Sequence, residues 1–242
     1  MTATVQAGSY VFGIVPADSP VPESEASGLA AGLRLVAAGD LAALVGSVPT
    51  ERPLGRAADL RAHDRVLAGV VAAGTPVLPM RFGAVVTDDT AVVEELLTPH
   101  RVEFGEALDA LRGRVQYTVK VRYEQDNVLR ELISTDPIIR RLRRQADDQA
   151  AQLRLGERIV RSLERMRPAD ASEVLTALMG TVDVRVREVS VPDEVLNAAF
   201  LVDRNEVDDF ETRVAQLAAE RADRLRIALV GPTAAYDFVG GE

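Results

Sequence analysis

Gln116-Tyr117-Thr118-Val119-Lys120-Val121-Arg122-Tyr123 is the stretch on which the fold of the second half turns. Tyr117, Val119, Val121 and Tyr123 alternate with Gln116, Thr118, Lys120 and Arg122. Successive side chains of a strand point to opposite faces, so this pattern predicts a strand with one buried and one wetter side. Downstream, a helical region from about Pro137 to Met166 carries Ile139, Leu142, Ala146, Leu153, Val160 and Leu163 at three-four spacing. Gln149 and Gly156 interrupt that spacing, so the region packs on something without being a clean coiled coil. A short helix from Ala171 to Met179 is expected after Pro168. Val182, Val184 and Val186 alternate with Asp183, Arg185 and Arg187, and Val191-Pro192-Asp193-Glu194 turns the chain into Val195 to Val202, a second hairpin. Asn205 is placed to cap a helix bearing Val207, Phe210, Val214 and Leu217, with Asp208 and Asp209 near its positive end. Leu225, Ile227 and Leu229 form the last strand. The order strand, helices, strand, strand, helix, strand is the split βαβ arrangement of a ferredoxin-like antiparallel sheet.

Working back towards the N-terminus, Gly8 to Pro16 reads as a strand, followed by a loop from Asp18 to Gly28. Leu33 to Ala38 and Leu41 to Val48 flank Gly39-Asp40, the dipeptide of a tight reversal, and predict a hairpin. Leu60, Leu67, Val70 and Val71 recur at helical spacing between Arg56 and Ala73, and Gly74 with Pro76 stops that helix. Pro76 to Val86 is then read as one strand. Leu78, Met80 and Phe82 share a face there, and Val77, Pro79 and Arg81 share the other. Pro76 and Pro79 cannot donate to a sheet ladder, which assigns the strand to an edge. Asp89 to Leu97 and Pro99 to Leu111 read as helices, and Gly113 closes the first half. The expected architecture is α+β in two domains: a mixed α/β sheet domain over 1–113, and a ferredoxin-like antiparallel sheet over 114–242. The second domain has an extended helical insertion at about 137–179 and a C-terminal tail.

With 242 residues, 47% hydrophobic and 27% charged, the chain can bury two cores, and no run reaches the roughly 20 apolar residues of a membrane span. No membrane partner is expected. Cysteine is absent, which removes disulfides and thiolate metal sites, and Met1 to Gln6 lacks the basic and apolar pattern of a secretion signal. A cytoplasmic location is the corresponding expectation. A net charge of -9 disfavours nucleic acid, whose binding rests on neutralised phosphates. Tyr117 and Tyr123 also fall on the core side of their strand, where they cannot stack bases. Residues 138–167 are a basic exception, with nine arginines against four acids: a solvated face, or a docking surface for an acidic partner.

Reactive chemistry is not advertised. The two histidines lack a serine or cysteine partner motif. His63, on the apolar stripe of its helix, reads as a hydrogen-bonded core residue, and His100 as a helix-start residue. The pairs Asp88-Asp89, Asp147-Asp148 and Asp208-Asp209 read as helix starts and solvated faces. No glycine-rich phosphate loop is present, and Gly240-Gly241 is a chain end. No catalytic residue, cofactor or metal ligand is assigned. What stands out instead is Leu78-Pro79-Met80-Arg81-Phe82-Gly83 and the closing Gly231-Pro232-Thr233-Ala234-Ala235-Tyr236-Asp237-Phe238-Val239. Both combine backbone-shaping residues with aromatic contact area. Arg81 and Phe82, with Tyr236 and Phe238, are the candidate partner interface. The alternatives are a local ion pair for Arg81 and a tail packed back on its own domain for Tyr236 and Phe238.

In order along the chain, Tyr10-Val11-Phe12-Gly13-Ile14-Val15, His63-Asp64-Arg65-Val66-Leu67, Val77 to Gly83, Tyr117 to Val121, Ala198-Ala199-Phe200-Leu201-Val202 and the Gly231 to Val239 close resemble the gas vesicle protein F/L family. Thr233-Ala234-Ala235 departs from it, since the family commonly has a tryptophan and prolines there. The resemblance implies two α+β domains, the second ferredoxin-like, and no enzymatic activity. It implies an accessory or minor structural protein of the gas vesicle whose partners are the hydrophobic shell subunit and other vesicle accessory proteins. An edge strand bearing Arg81 could then pair with a partner strand. From another class, a regulatory module binding a small effector on the ferredoxin-like domain is the alternative.

Overall fold

The computed structural model describes residues 7–22, 28–49, 53–145, 148–180, 182–189 and 191–239. The N-terminal hexapeptide, part of the 18–28 loop, Ala146, Asp147 and Gly240-Gly241 lie outside them. Contacts divide the chain into two compact units, 1–116 with 232–242, and 117–231. The chain leaves the first unit within one strand and re-enters it within another. The closing segment, grouped above with the second domain, therefore belongs to the first unit.

The first unit is built on β1 (Ala7–Pro16), buried along nearly its whole length. β2 (Ala31–Ala38) and β3 (Leu41–Pro49) form the expected hairpin through Gly39, at φ 68°, and β3 pairs antiparallel with β1. The far side of β1 holds two short strands, β4 (Leu78–Pro79) and β5 (Val85–Val86), both antiparallel to it. The sheet order is β2-β3-β1-β4, so β4 is at an edge, in keeping with Pro79, which cannot donate to a ladder.

The continuous strand expected from Pro76 to Val86 does not form. Arg81-Phe82-Gly83 turns between β4 and β5, and Ala84 N–H donates to Arg81 O at 3.2 Å. Gly83 sits at φ 93°, where a side chain would be strained, and this breaks the ladder. Alternation fails with it, since Val77, Leu78 and Pro79 are all buried. Gly13 is needed for another reason: a Cβ there would lie 2.8 Å from Leu78 O, too close for β4 to remain on β1.

α1 (Ala57–Ala72) covers the sheet with Ala62, His63, Val66, Leu67 and Val70. α2 (Asp89–Ala91) starts at Asp88, whose side chain accepts from Ala91 N–H at 2.9 Å, and continues as a π-helical segment, Val92–Leu97. Asp89 holds Arg34 in two bonds, of 2.9 and 2.6 Å, and accepts from Ser9 Oγ at 2.5 Å. It is therefore an ion-pair residue as well as a helix start. α3 (Arg101–Leu111) completes the unit.

β6 (Arg114–Tyr123) opens the second sheet, whose order is β7-β8-β6-β9 with β7 (Asp183–Val186), β8 (Glu194–Asp203) and β9 (Leu225–Thr233). Numbered along the chain within this sheet, that is 2-3-1-4, the ferredoxin-like order. Tyr117, Val119, Val121 and Tyr123 are buried and Lys120 and Arg122 exposed, in agreement with the alternation; Gln116 and Thr118 are buried as well. β7 pairs antiparallel with β8 from Asp183↔Leu201 to Val186↔Ala198 and is mostly exposed, as an edge strand. α7 (Val207–Glu220) lays Phe210 against Phe200 and Tyr117, with ring centroids 5.3 and 5.7 Å away. The side chain of Asn205 does not cap it. Asp203 accepts from Asn205 N–H at 2.9 Å and starts a 3-10 turn, Arg204–Glu206, that leads into α7.

The helical insertion differs from expectation in two places. α4 (Gln125–Thr135) precedes it, burying Val128 and Leu132. After α5 (Pro137–Arg144), capped by Asp136, a single helix α6 (Gln149–Met179) runs through Pro168. An interior proline costs about 3 kcal/mol. Here Pro168 is exposed, while Asp170, Val174 and Leu178 beyond it are buried and hold the helix on course.

Candidate functional site

The segments singled out in the sequence converge in the first unit on one imidazole. β1 presents Tyr10 and Phe12, both fully buried, side by side with ring centroids 4.8 Å apart, Phe12 sitting where the pairing of β1 with β3 shifts register. α1 brings His63, 2% exposed, against them. The Tyr10 hydroxyl is 2.9 Å from His63 Nδ1, and the Tyr236 hydroxyl is 3.0 Å from Nε2. Gly83 N–H donates to the Tyr10 hydroxyl at 3.2 Å. Because a neutral imidazole has one donor and one acceptor, that bond favours Tyr10 donating to Nδ1 and Nε2–H donating to Tyr236.

Four aromatic rings surround the histidine. Phe12 stacks on it at 5.6 Å with 21° between the planes, and Phe82 meets it edge-on at 5.9 Å. Tyr10 lies at 5.8 Å and Tyr236 at 6.4 Å. The turn carrying Phe82 is bound to β1 at both ends, by Met80 N–H to Phe12 O and Val11 N–H to Ala84 O, each 2.9 Å. Burial lowers the His63 pKa from its ordinary value, against a smaller opposing effect of Asp64, and burial raises those of Tyr10 and Tyr236. The group is a neutral, hydrogen-bonded packing centre.

The closing segment is fixed by a second clasp. Gln116, 2% exposed, donates Nε2–H to Asp237 Oδ2 at 2.6 Å and accepts Asp237 N–H on Oε1 at 3.0 Å. Ala234 and Ala235 are buried beside it. The tail is therefore packed back, but on the first unit. Of the candidate interface residues, Phe82 and Tyr236 meet on His63. Arg81 is exposed at the start of the turn, in no strand, and makes no ion pair among the described residues. Phe238 is half-buried. Gln116 and Tyr10 were not foreseen; the one available signal was a glutamine on the supposedly wet side of a strand that proves buried.

The second unit carries a charge cluster and a cleft. Asp170 accepts from Tyr123 Oη at 2.7 Å and from Arg224 Nε and Nη2 at 3.0 and 3.1 Å, and Arg224 also pairs with Glu131. This ties α4, α6 and β6 to the residues just before β9. A cleft of about 370 Å³ between α4 and α6 is lined by Val128, Leu129, Leu132, Ile159 and Leu163. No group of three His, Asp or Glu suited to a metal ion occurs among the described residues, and none of their helices is long and apolar enough to cross a membrane.

An α+β chain with a ferredoxin-like second unit and an aromatic packing centre in the first is the class these observations define. The model of the gas vesicle synthesis protein GvpL/GvpF family matches residues 8–240, and the chain belongs to that family. It is 33% identical to gas vesicle protein F of Streptomyces sp. (strain CB03234) over 96% of this chain and 99% of the relative. It is 34% identical to gas vesicle protein L of the same strain, over 96% and 92%. The crystal structure of the gas vesicle protein GvpF from Anabaena sp. PCC7120 superimposes with a TM-score of 0.78 at 25% identity, covering 98% of this chain and 99% of that one. The protein is thus gas-vesicle-associated, and its family is named for vesicle synthesis rather than for a reaction.

Proposed function

We propose that the protein holds the hydrophobic gas vesicle shell subunit, together with other vesicle accessory proteins, while the vesicle is built in the cytoplasm. The contact is made by the rim of Arg81, Phe82, Tyr236 and Phe238. A shell subunit with an exposed apolar face aggregates unless something covers it, and aromatic and arginine side chains are the ones most enriched in such contacts. The observation that carries the reading is the convergence of Phe82 and Tyr236 on His63, with Arg81 free beside them. The role is adhesive, and no catalytic step enters it. Because Arg81 lies in a turn, the contact is through side chains and not by added strand pairing. Arg81→Glu should weaken capture of purified shell subunit while leaving the thermal midpoint nearly unchanged; unaltered capture removes Arg81 from the interface.

The 370 Å³ apolar cleft favours the alternative of a small effector bound to the ferredoxin-like unit, since ligand pockets begin near this size. A compound that binds only the folded chain raises its melting midpoint, and shell capture then changes with that compound and not with Arg81.

A further inference from the structure

The basic helical insertion of the second unit is organised, and not merely rich in arginine. On α6, Arg154, Arg158, Arg161 and Arg165 follow one another at spacings of four, three and four. At 100° per residue these side chains fall within a narrow stripe, and at 1.5 Å per residue the stripe is about 16 Å long. Arg158 pairs with Asp136, with Nη2 to Oδ2 at 2.8 Å, which anchors the middle of the stripe to the start of α5. Arg154 and Arg161 are exposed and have no carboxylate partner among the described residues. Arg165, also exposed, donates to Ser162 Oγ at 3.2 Å and has no carboxylate partner among the described residues. Glu157 and Glu164 lie on the same helix, on the flank of the stripe, and pair with none of these arginines. In a chain with 37 acids and 28 bases, leaving three neighbouring arginines unpaired is unexpected if they only solvate a surface.

Beside the stripe, Leu132, Pro137, Ile138 and Met166 line an open, largely apolar cleft of about 510 Å³, with the Arg158–Asp136 pair and Arg165 on its wall. Ile138 is 43% exposed. Apolar floor and cationic wall side by side match one kind of occupant: a helix with an apolar face and a row of carboxylates along one edge. We infer that the α5–α6 face is a docking site for an acidic amphipathic helix of a partner protein, with Arg154, Arg161 and Arg165 reading its carboxylates. This inference does not rest on the shell-binding role of the first unit. Such a site gains orientation and association rate from its charges and residence time from the apolar floor.

The test uses the full chain and a fluorescein-labelled synthetic 18-residue helix with a Leu/Met face and Glu at matching four-three-four spacing. Anisotropy should report saturable binding that weakens as salt is raised through the range that screens exposed charges. Arg154→Glu/Arg161→Glu and Arg161→Glu/Arg165→Glu should each weaken it by about tenfold or more, with the thermal midpoint unchanged. Arg81→Glu should bind the peptide normally, which separates this site from the rim of the first unit. The inference is overturned if a scrambled peptide of the same composition binds equally well. It is equally overturned if polyglutamate or single-stranded DNA competes as effectively, or if both double variants keep full affinity.

Discussion

His63 Nε2 lies 3.0 Å from the hydroxyl of Tyr236, a residue 173 positions further along the chain, while Nδ1 lies 2.9 Å from the hydroxyl of Tyr10. One buried imidazole thus joins the central strand, the first long helix and the closing segment of the first unit.

The two tyrosines should differ in value. Tyr10→Phe leaves His63 Nδ1 without its partner in a buried setting, and Gly83 N–H without its partner on an exposed turn, and should cost about 2 kcal/mol. Tyr236 is 37% exposed, so water can replace its hydroxyl, and Tyr236→Phe should cost about 1 kcal/mol. Urea midpoints of the two variants check the order; equal losses would show that Gly83 draws nothing from Tyr10.

Stability should fall as pH drops through the histidine range. Burial favours neutral His63 in the folded chain, so the unfolded chain takes up a proton near the ordinary value of about 6.5 before the folded chain does. The contribution is complete above that value and is lost as pH falls below it, with a slope of up to about 1.4 kcal/mol per unit. Asp64 reduces the effect without reversing it. Denaturant unfolding between pH 7.5 and 5.5 should show this slope, and His63→Gln should flatten it. Asp89, held below the usual carboxylate range by Arg34, adds its own loss only at lower pH, near and below about 4.

In the second unit, Asp170→Asn should be among the more damaging single polar changes. It removes the charge opposite Arg224 and presents an amide donor to Arg224 or Tyr123, and a partly buried pair broken in this way costs about 2–4 kcal/mol. Arg101→Ala breaks the exposed pair with Asp40 and should leave the urea midpoint where it was. A double-mutant cycle with Arg224→Met would measure the Asp170 coupling directly.

The ferredoxin-like order was legible because β6 alternates over eight residues and each later strand is bounded by polar turns; local pattern and final fold agree there. The edge position of β4 followed from two prolines. The turn at Arg81–Gly83 was hidden, since its sequence alternates like a strand and only the positive φ of Gly83 interrupts it. The continuity of α6 was hidden too: proline propensity argued for a break, and the buried residues beyond Pro168 outweighed it. α4 begins without a side-chain cap, so its start left no signal. The candidate site lay furthest from view. Its parts were each visible, but the bonds joining them span 53, 121 and 173 residues, and nothing in local spacing encodes such partners.

Because the chain quits the first unit at Gln116 and comes back to it only at Pro232, the earlier unit cannot be finished first during translation. All residues of the second unit are synthesised while His63 still waits for Tyr236 and Gln116 for Asp237. Closure of the N-terminal half thereby waits for residues 232–239, so a nascent chain stalled short of them carries an open aromatic seat.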